Sequence, residues 1–151
     1  MAAEKRAAAT RIAAIVVDSG PLLALFNHTD HWHDRVLAWL RAHPETRLIS
    51  TWPVLTEVCA LLAHRIHNEA ALDFLRWVER GAVEVDSADA ASVGDVLVIS
   101  ERFADLPFDL ADASVAEAAA RRRLRHVLSL EADFDVYRDR AGRPLLNALR
   151  S

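Results

Sequence analysis

Six apolar residues in succession, followed at once by a carboxylate, limit most strongly what this chain can fold into. Residues Ile12–Val17 contain no polar side chain, and Asp18 ends the run. A short, continuous and β-branched run of this kind predicts a strand buried on both faces, as in a parallel sheet. Gly20 and Pro21 then end the strand. Asp18 is therefore predicted at the carboxyl end of a central strand, where open α/β sheets form ligand sites, although a strand-end or N-cap role explains the position as well.

The remainder of the chain alternates between helical and strand patterns. We predict further strands at Arg47–Thr51, Ala82–Val85 and His126–Leu130, with a last edge strand within Arg143–Asn147. The helical patterns cover Leu22–Phe26, His31–Ala42, Pro53–His64, Asn68–Arg80, Ala88–Phe103 and Leu110–Leu124. This alternation predicts βαβ units and an α/β fold, with a mostly parallel central sheet covered on both faces. We predict one domain over residues 12–151 and a flexible N-terminal extension over residues 1–11.

Composition excludes several classes of protein. The chain has 151 residues, of which 52% are hydrophobic and 26% charged, as is typical of a globular domain. A formal net charge of −4 excludes a general polyanion-binding protein, so any contact with nucleic acid must use a local basic surface. The single cysteine, Cys59, excludes an internal disulfide and suits a reducing compartment. No apolar run approaches the roughly 20 residues of a membrane span, so we expect a cytoplasmic protein without membrane attachment.

Two carboxylates occupy the apolar faces of their predicted helices. Glu57 lies three residues after Val54 and four before Leu61, and Asp112 lies three residues before Val115. Residues at these spacings share one face of a helix. An unpaired carboxylate in such a place costs several kcal/mol or becomes protonated. Each position alone has a simpler explanation, since Glu57 could reach solvent or pair with an arginine.

Further acids follow the same strand ends and helix starts. Glu131 comes directly after the predicted strand His126–Leu130, with Asp133 two residues later. Asp109 lies one helical turn before Asp112, where an N-cap role also explains it. Converging carboxylates repel one another and raise each other's pKa values. A hard divalent cation with oxygen ligands is the simplest counter-charge, and no histidine or cysteine pattern with zinc spacing competes with it.

Four segments taken together resemble a known family. They are Val16–Ser19, Thr56–Val58, Leu110–Val115 and Leu128–Phe134. In order and separation they are similar to the successive motifs of PIN-domain ribonucleases, and most similar to the VapC toxins of bacterial toxin–antitoxin pairs. The resemblance extends over Ile15–Tyr137, which is almost the whole chain.

The resemblance implies a three-layer α/β/α fold, Mg²⁺- or Mn²⁺-dependent cleavage of RNA, a homodimer, and inhibition by a small cognate antitoxin. By the same match, Asp18, Glu57 and Asp112 fall on the metal-binding acids. The chain departs from the pattern at the fourth acid, which is usually Asp and is here Glu131. We rank Glu131 first, Asp109 second and Asp133 third as candidates for that position.

Other residues are predicted to support the site or hold the substrate. Ser19 is expected either to hydrogen-bond a ligand carboxylate or scissile phosphate, or to cap the helix that follows. The basic run that contains Arg121, Arg122 and Arg125 is either a phosphate-binding edge or a solvated helix end favoured by the helix dipole.

The leading hypothesis is therefore a metal-dependent endoribonuclease that serves as the toxin of a type II toxin–antitoxin system. One alternative is a housekeeping PIN-domain nuclease that matures RNA and has no antitoxin. The other is a catalytically degenerate PIN-like binding module. That last alternative predicts gaps in the acidic set, but Asp18, Glu57 and Asp112 are all present.

Overall fold

A five-stranded parallel sheet forms the centre of the protein. The structure is a computed structural model that describes residues 11–139 and 141–150. The sheet consists of β1 (Ala14–Val17), β2 (Arg47–Ser50), β3 (Glu84–Val85), β4 (His126–Leu128) and β5 (Leu146–Asn147). Its strand order is β3-β2-β1-β4-β5, and every neighbouring pair is parallel. The apolar run that ends at Asp18 therefore provides the central strand, as predicted.

Six α-helices pack around this sheet. They are α1 (Ser19–Phe26), α2 (His33–Ala42), α3 (Trp52–Arg65), α4 (Asn68–Glu79), α5 (Ala90–Arg102) and α6 (Leu110–Arg121), and a short 3₁₀ helix follows β4 at Ala132–Asp135. Helices cover both faces of the sheet, which gives three layers. The prediction of a three-layer α/β/α fold with a parallel central sheet is confirmed.

Two element boundaries differ from the sequence prediction for identifiable reasons. β4 was expected to continue to Leu130 but ends at Leu128, because the backbone of Ser129 pairs with a side chain, that of Asn147, instead of with a strand. Helix α6 was expected to reach Leu124 but ends at Arg121. Arg123 there has a φ of 56°, in the left-handed region that terminates helices.

The core lies between β1 and the helices beside it. Ile15, Val16 and Val17 are at most 1% exposed, and Val115 of α6 is fully buried with them. The apolar face of α2 also packs on this core through Val36, Trp39 and Leu40. In the sequence, Trp32 continues this apolar face, and the face gives weak support to the predicted homodimer. Within this chain, however, most of the face packs on the domain's own core. Of its four apolar residues only Trp32 is largely exposed, at 38%.

The predicted N-terminal extension lies almost entirely before the first described residue, Arg11. Of the predicted extension over residues 1–11, residues 1–10 lie outside the described residues. Arg11 is described and forms an ion pair with Glu45. Within the described ranges, no helix has the length and apolar character needed to cross a membrane.

Candidate active site

The site lies at the carboxyl edge of the sheet, where β1 and β4 end side by side. Val17 is in register with Leu128, and the Asp18 N–H donates to the Leu128 carbonyl oxygen at 2.9 Å. The direction of the chain across the sheet reverses between β1 and β4. A reversal of this kind leaves a crevice at the strand ends in open α/β sheets. Asp18 therefore lies at the topological switch point of the fold.

Two serine hydroxyls hold the Asp18 carboxylate. Asp18 is 1% exposed. Ser129 donates to its Oδ2 at 2.9 Å, and the Ser19 hydroxyl lies 3.3 Å from its Oδ1. Asp18 occupies the N-cap position of α1, but its side chain makes no capping hydrogen bond. Asp18 thus occupies the predicted N-cap position, but its side chain faces the serines instead of capping the helix.

Ser19 connects Asp18 to the second predicted acid. Its hydroxyl lies 2.9 Å from Glu57 Oε2, the shorter of its two carboxylate contacts. Glu57 projects from α3 and is half-buried, so it neither reaches solvent freely nor forms an ion pair with any described residue. Of the two roles predicted for Ser19, contact with carboxylates is the one that the structure shows.

Asp109 and Asp112 approach from the start of α6. Asp109 is the N-cap of this helix, and its side chain accepts a hydrogen bond from the Asp112 N–H at 2.9 Å. The N-cap interpretation of Asp109 is therefore confirmed. A capping carboxylate retains free lone pairs, so Asp109 can cap the helix and also bind a cation. Asp112 is half-buried in the first turn of the same helix.

Electrostatics shows that these acids share one region. The pKa of Asp112 is raised to about 8, most strongly by burial and then by the charges of Asp18, Asp109, Glu131 and Asp133, in that order. Burial also raises the pKa of Asp18 to about 6, with a smaller upward contribution from the charge of Glu57, while hydrogen bonds from the Ser19 backbone and Ser129 oppose the shift. Each of the six predicted acids is thus either one of these two carboxyl groups or a charge that raises the pKa of one of them.

No described cation neutralises this cluster. Every ion pair found among residues 11–139 and 141–150 involves other carboxylates. The donor set is purely oxygen, which suits Mg²⁺ or Mn²⁺. In the same described ranges, however, no three His, Cys, Asp or Glu side chains are grouped closely enough to hold a metal ion. The chemistry of the donors fits such a cation, and binding would require the carboxylates to move toward one another.

The candidates for the fourth acid differ in exposure. Glu131 is exposed and follows β4 after a gap of two residues, whereas Asp133 is half-buried in the 3₁₀ helix. Glu131 affects the pKa of Asp112 more than Asp133 does, and Asp109 affects it more than either. The choice between Glu131 and Asp109 therefore stays a prediction.

Three further residues belong to the site although sequence analysis did not assign them a role. Ser129 is fully buried and binds Asp18, and Asn147 binds the backbone of Ser129. Burial raises the pKa of Tyr137 to about 12, with Asp112 the strongest of the acidic charges that add to it. A polar residue inside the apolar run before Leu130 was the available signal for Ser129. Asn147, among leucines and alanine, was a weaker signal of the same kind.

The basic run has intramolecular partners. Arg121 and Arg122 both bind Asp86, which is 2% exposed, and Arg121 also binds Glu117. Arg125 donates to the Pro144 carbonyl oxygen at 3.1 Å. These contacts favour a structural role for the three arginines over the predicted contact with RNA phosphates.

The chain is similar in sequence or in structure to several known proteins. No protein-family model matches the chain. Ribonuclease VapC26 of Mycobacterium tuberculosis is 28% identical over 117 residues, which cover 78% of this chain and 86% of that protein. The crystal structure of M. tuberculosis VapC20, a sarcin-ricin loop cleaving toxin, matches 88% of this chain and 98% of its own with a TM-score of 0.76 at 20% identity. The chain has a VapC-like PIN-domain fold. VapBC2 from Rickettsia felis, solved with a DNA fragment from its promoter, matches 89% of this PIN domain at a TM-score of 0.64 and 12% identity.

The matches confirm the resemblance that the four motifs predicted. They cover 78% of this chain in sequence and 88% in structure. At 20% and 12% identity, the solved structures establish the fold of the PIN domain. The chemistry of the site depends on the residues of this chain.

Proposed function

We propose that this PIN domain is a Mg²⁺- or Mn²⁺-dependent endoribonuclease and the toxin component of a type II toxin–antitoxin system. The observation that carries the proposal is the cluster of carboxylates without a counter-charge at the switch point of the sheet, around the buried Asp18. The similarity to the ribonuclease VapC26 supports RNA as the substrate.

We assign each acid a role in metal binding according to how firmly its side chain is held. Asp18 is fixed by two serines and is the anchoring ligand, with Glu57 oriented beside it through Ser19. Asp112, whose pKa is raised to about 8, holds a proton near neutral pH in the metal-free protein and would bind a cation in its deprotonated form. When bound, Mg²⁺ or Mn²⁺ lowers the pKa of a water molecule and offsets charge on the phosphoryl oxygens. We assign Glu131, at the exposed rim, to the waters around the metal rather than to direct contact.

Cleavage of total cellular RNA with mapped ends tests this function. The purified protein is incubated with RNA in Mg²⁺, in Mn²⁺ and in EDTA, beside an Asp18→Asn variant purified in the same way. We expect discrete cleavage ends that require the metal and are absent with Asp18→Asn. Equal cleavage by both proteins would indicate a contaminating nuclease, and no cleavage by the unaltered protein in either metal would contradict the proposal.

The predicted partner is a small antitoxin, and one surface suits a protein partner. Helix α5 is fully described and has no buried residue, while its Val93, Leu97 and Val98 are each more than half exposed. Val93 and Leu97 line an apolar groove that also contains Phe108. Exposed apolar patches of this kind mark protein interaction sites. We propose that the antitoxin covers this groove beside the acids.

Co-expression tests the partner and separates the toxin from a housekeeping nuclease. Expression of the chain alone is expected to arrest growth. The antitoxin hypothesis predicts a small reading frame directly before the gene, whose co-expression should restore growth. Val93→Asp with Leu97→Asp should weaken the rescue, whereas Leu72→Asp, at another exposed apolar position, should not. Harmless expression of an active nuclease would favour the housekeeping alternative.

The predicted homodimer is tested by the mass of the purified chain in solution.

A further inference from the structure

A hydrogen-bonded chain runs from the last strand of the sheet to Asp18. Asn147 ends β5 and is 7% exposed. Its Oδ1 accepts the Ser129 N–H at 3.2 Å, and its Nδ2 donates to the Ser129 carbonyl oxygen at 3.0 Å. Ser129 in turn donates its hydroxyl proton to Asp18 Oδ2 at 2.9 Å. The chain thus joins the edge of the sheet to its centre.

The Asn147 side chain takes the place of a strand residue. β4 and β5 pair as far as Val127 and Asn147, and the Ala148 N–H donates to the Val127 carbonyl oxygen at 2.9 Å. Ser129, two residues further along, pairs with the carboxamide of Asn147, which offers the same donor and acceptor as a peptide unit. Because buried backbone groups are almost always paired, this contact determines where the Ser129 backbone lies.

The position of Ser129 then determines the direction of its hydroxyl. Ser129 is fully buried. Its Oγ accepts the Glu131 N–H at 2.9 Å, which leaves the single hydroxyl proton for Asp18. One hydroxyl therefore links the carboxylate of Asp18 to the backbone of Glu131, and both depend on the residue that holds Ser129.

We propose that Asn147 is a positioning residue for the acidic site. It fixes Ser129, and through Ser129 it orients the Asp18 carboxylate and the backbone at Glu131. The inference rests on the proposed function, because that function makes Asp18 a metal ligand. Removing a residue that hydrogen-bonds to a metal ligand typically lowers metal affinity or activity by about 10- to 100-fold.

Four variants of the full chain test the proposal. Asn147→Ala removes both contacts with Ser129, and Asn147→Asp keeps the size and the acceptor but loses the donor. Ser129→Ala removes the hydroxyl itself. Leu145→Ala is the matched control, since Leu145 is 5% exposed in the same C-terminal segment but makes no hydrogen bond to Ser129.

Metal binding and kinetics give the first readout. Titration calorimetry measures the Mn²⁺ dissociation constant, and a defined RNA gives kcat and KM. Both Asn147 variants and Ser129→Ala should weaken Mn²⁺ binding and lower kcat by about tenfold or more with KM unchanged. Leu145→Ala should lower the melting temperature alone. The double variant Asn147→Ala with Ser129→Ala should be no worse than Ser129→Ala in kcat, because both act through one hydroxyl.

Hydrogen exchange of the metal-free protein gives a second readout that does not depend on activity. In Asn147→Ala, amides at Ser129 and Glu131 should exchange faster while those of β1 keep their protection, and Leu145→Ala should show no such local change. If Asn147→Ala does not fold, Asn147→Asp carries the same test. Unchanged Mn²⁺ binding, kcat and exchange in a folded Asn147 variant would overturn the positioning role. Failure of the unaltered protein to bind Mn²⁺ or cleave RNA would instead overturn the proposed function, while the exchange result would still decide the role of Asn147.

Discussion

Asp18 is a carboxylate that the domain buries almost completely and that accepts hydrogen bonds from Ser19 and Ser129. The cost of that burial is seen in its pKa, which burial raises to about 6. A charge held at such a cost is expected where a function needs it.

Asp18→Asn should separate function from stability. The amide keeps the size and one acceptor but removes the buried charge, so we expect a melting temperature at pH 7 without metal that equals or exceeds that of the unaltered protein. Cleavage should fall by more than the roughly 10- to 100-fold cost of an outer-shell change. Differential scanning calorimetry and the RNA assay measure the two effects. Asp34→Asn, an exposed site on α2, should change neither, and a large fall in the melting temperature of Asp18→Asn would contradict the account of its burial.

The fourth acid is decided by comparing three single substitutions. We expect Glu131→Gln to weaken metal affinity and slow cleavage about tenfold, less than Asp18→Asn does, because water partly replaces an outer-shell ligand. Asp109→Asn keeps a capping oxygen and should have a smaller effect, and Asp133→Asn the smallest. Metal titrations and cleavage rates of the three proteins, measured side by side, give the ranking. A nearly unaltered Glu131→Gln beside a crippled Asp109→Asn would transfer the role to Asp109.

At the scale of single residues, the sequence predicted the acids but not the hydrogen bonds that orient Asp18 through Ser129 and Asn147. Asp18 was found from a strand end, and Glu57 and Asp112 from helical spacing, all of which are local patterns. Ser129 lies 111 residues from Asp18 and 18 from Asn147. No local pattern encodes contacts over such separations, and they became visible only once β4 and β5 were placed.

At the scale of elements, a buried ion-pair cluster attaches the end of β3 to the end of α6. Asp86 follows β3 and is 2% exposed, and Arg121 and Arg122 both bind it. Although burial of Asp86 acts in the opposite direction, hydrogen bonds from the two arginines hold its pKa below the usual value. The arginine run that suggested an RNA-binding edge thus joins the end of α6 to the residue that follows β3.

Asp86→Asn should destabilise the protein strongly. The substitution removes the buried charge that Arg121 and Arg122 share, while these arginines keep Glu117 and Glu84. We expect a cost of about 1.5–3 kcal/mol, which is typical of hydrogen bonds to a charged group. Urea unfolding measures the loss. Glu84→Gln is the control, because Glu84 binds Arg122 at an exposed position where a pair contributes about 1 kcal/mol or less. A raised KM for RNA in a stable Arg122→Gln variant would instead restore the RNA-binding interpretation of this run.

The sequence predicted the type and order of all the strands and α-helices, since the hydrophobic periods are strong. It did not predict the 3₁₀ helix at Ala132–Asp135 or the early end of β4. Both depend on tertiary contacts: Phe134 is fully buried, and Ser129 pairs with Asn147. Periodicity in the sequence does not report contacts of that kind.

At the scale of the whole molecule, the unneutralised acids should make the metal-free protein less stable as pH rises. The pKa values of Asp112 and Asp18 are about 8 and about 6 in the folded state, above the ordinary value of 3.8. Between about pH 4 and 8 the folded state therefore binds protons that the unfolded state has released, and stability falls through this window. Asp86 and Asp139 have lowered pKa values and act below it.

Thermal unfolding in EDTA across this pH range checks the prediction. The melting temperature should decline from about pH 4.5 to 8, Asp112→Asn should decline less, and Mn²⁺ should remove most of the difference. Subtracting the two proteins cancels the opposing contribution of His126, whose pKa burial lowers. Parallel curves for the unaltered protein and Asp112→Asn would show that Asp112 does not carry a raised pKa.

The bond between Ser129 and Asp18 also has a consequence for synthesis of the chain. Asp18 leaves the ribosome 111 residues before the serine that orients it, and the strand that contains Asn147 comes later still. At about 5–20 residues per second, the acid waits roughly 6 to 22 seconds for its partner. By the end of that interval the nascent chain contains Asp18, Glu57 and Asp112, still without the contact from Ser129 that orients the first of them. The acidic site is therefore not complete until nearly all of the chain up to Asn147 has been translated.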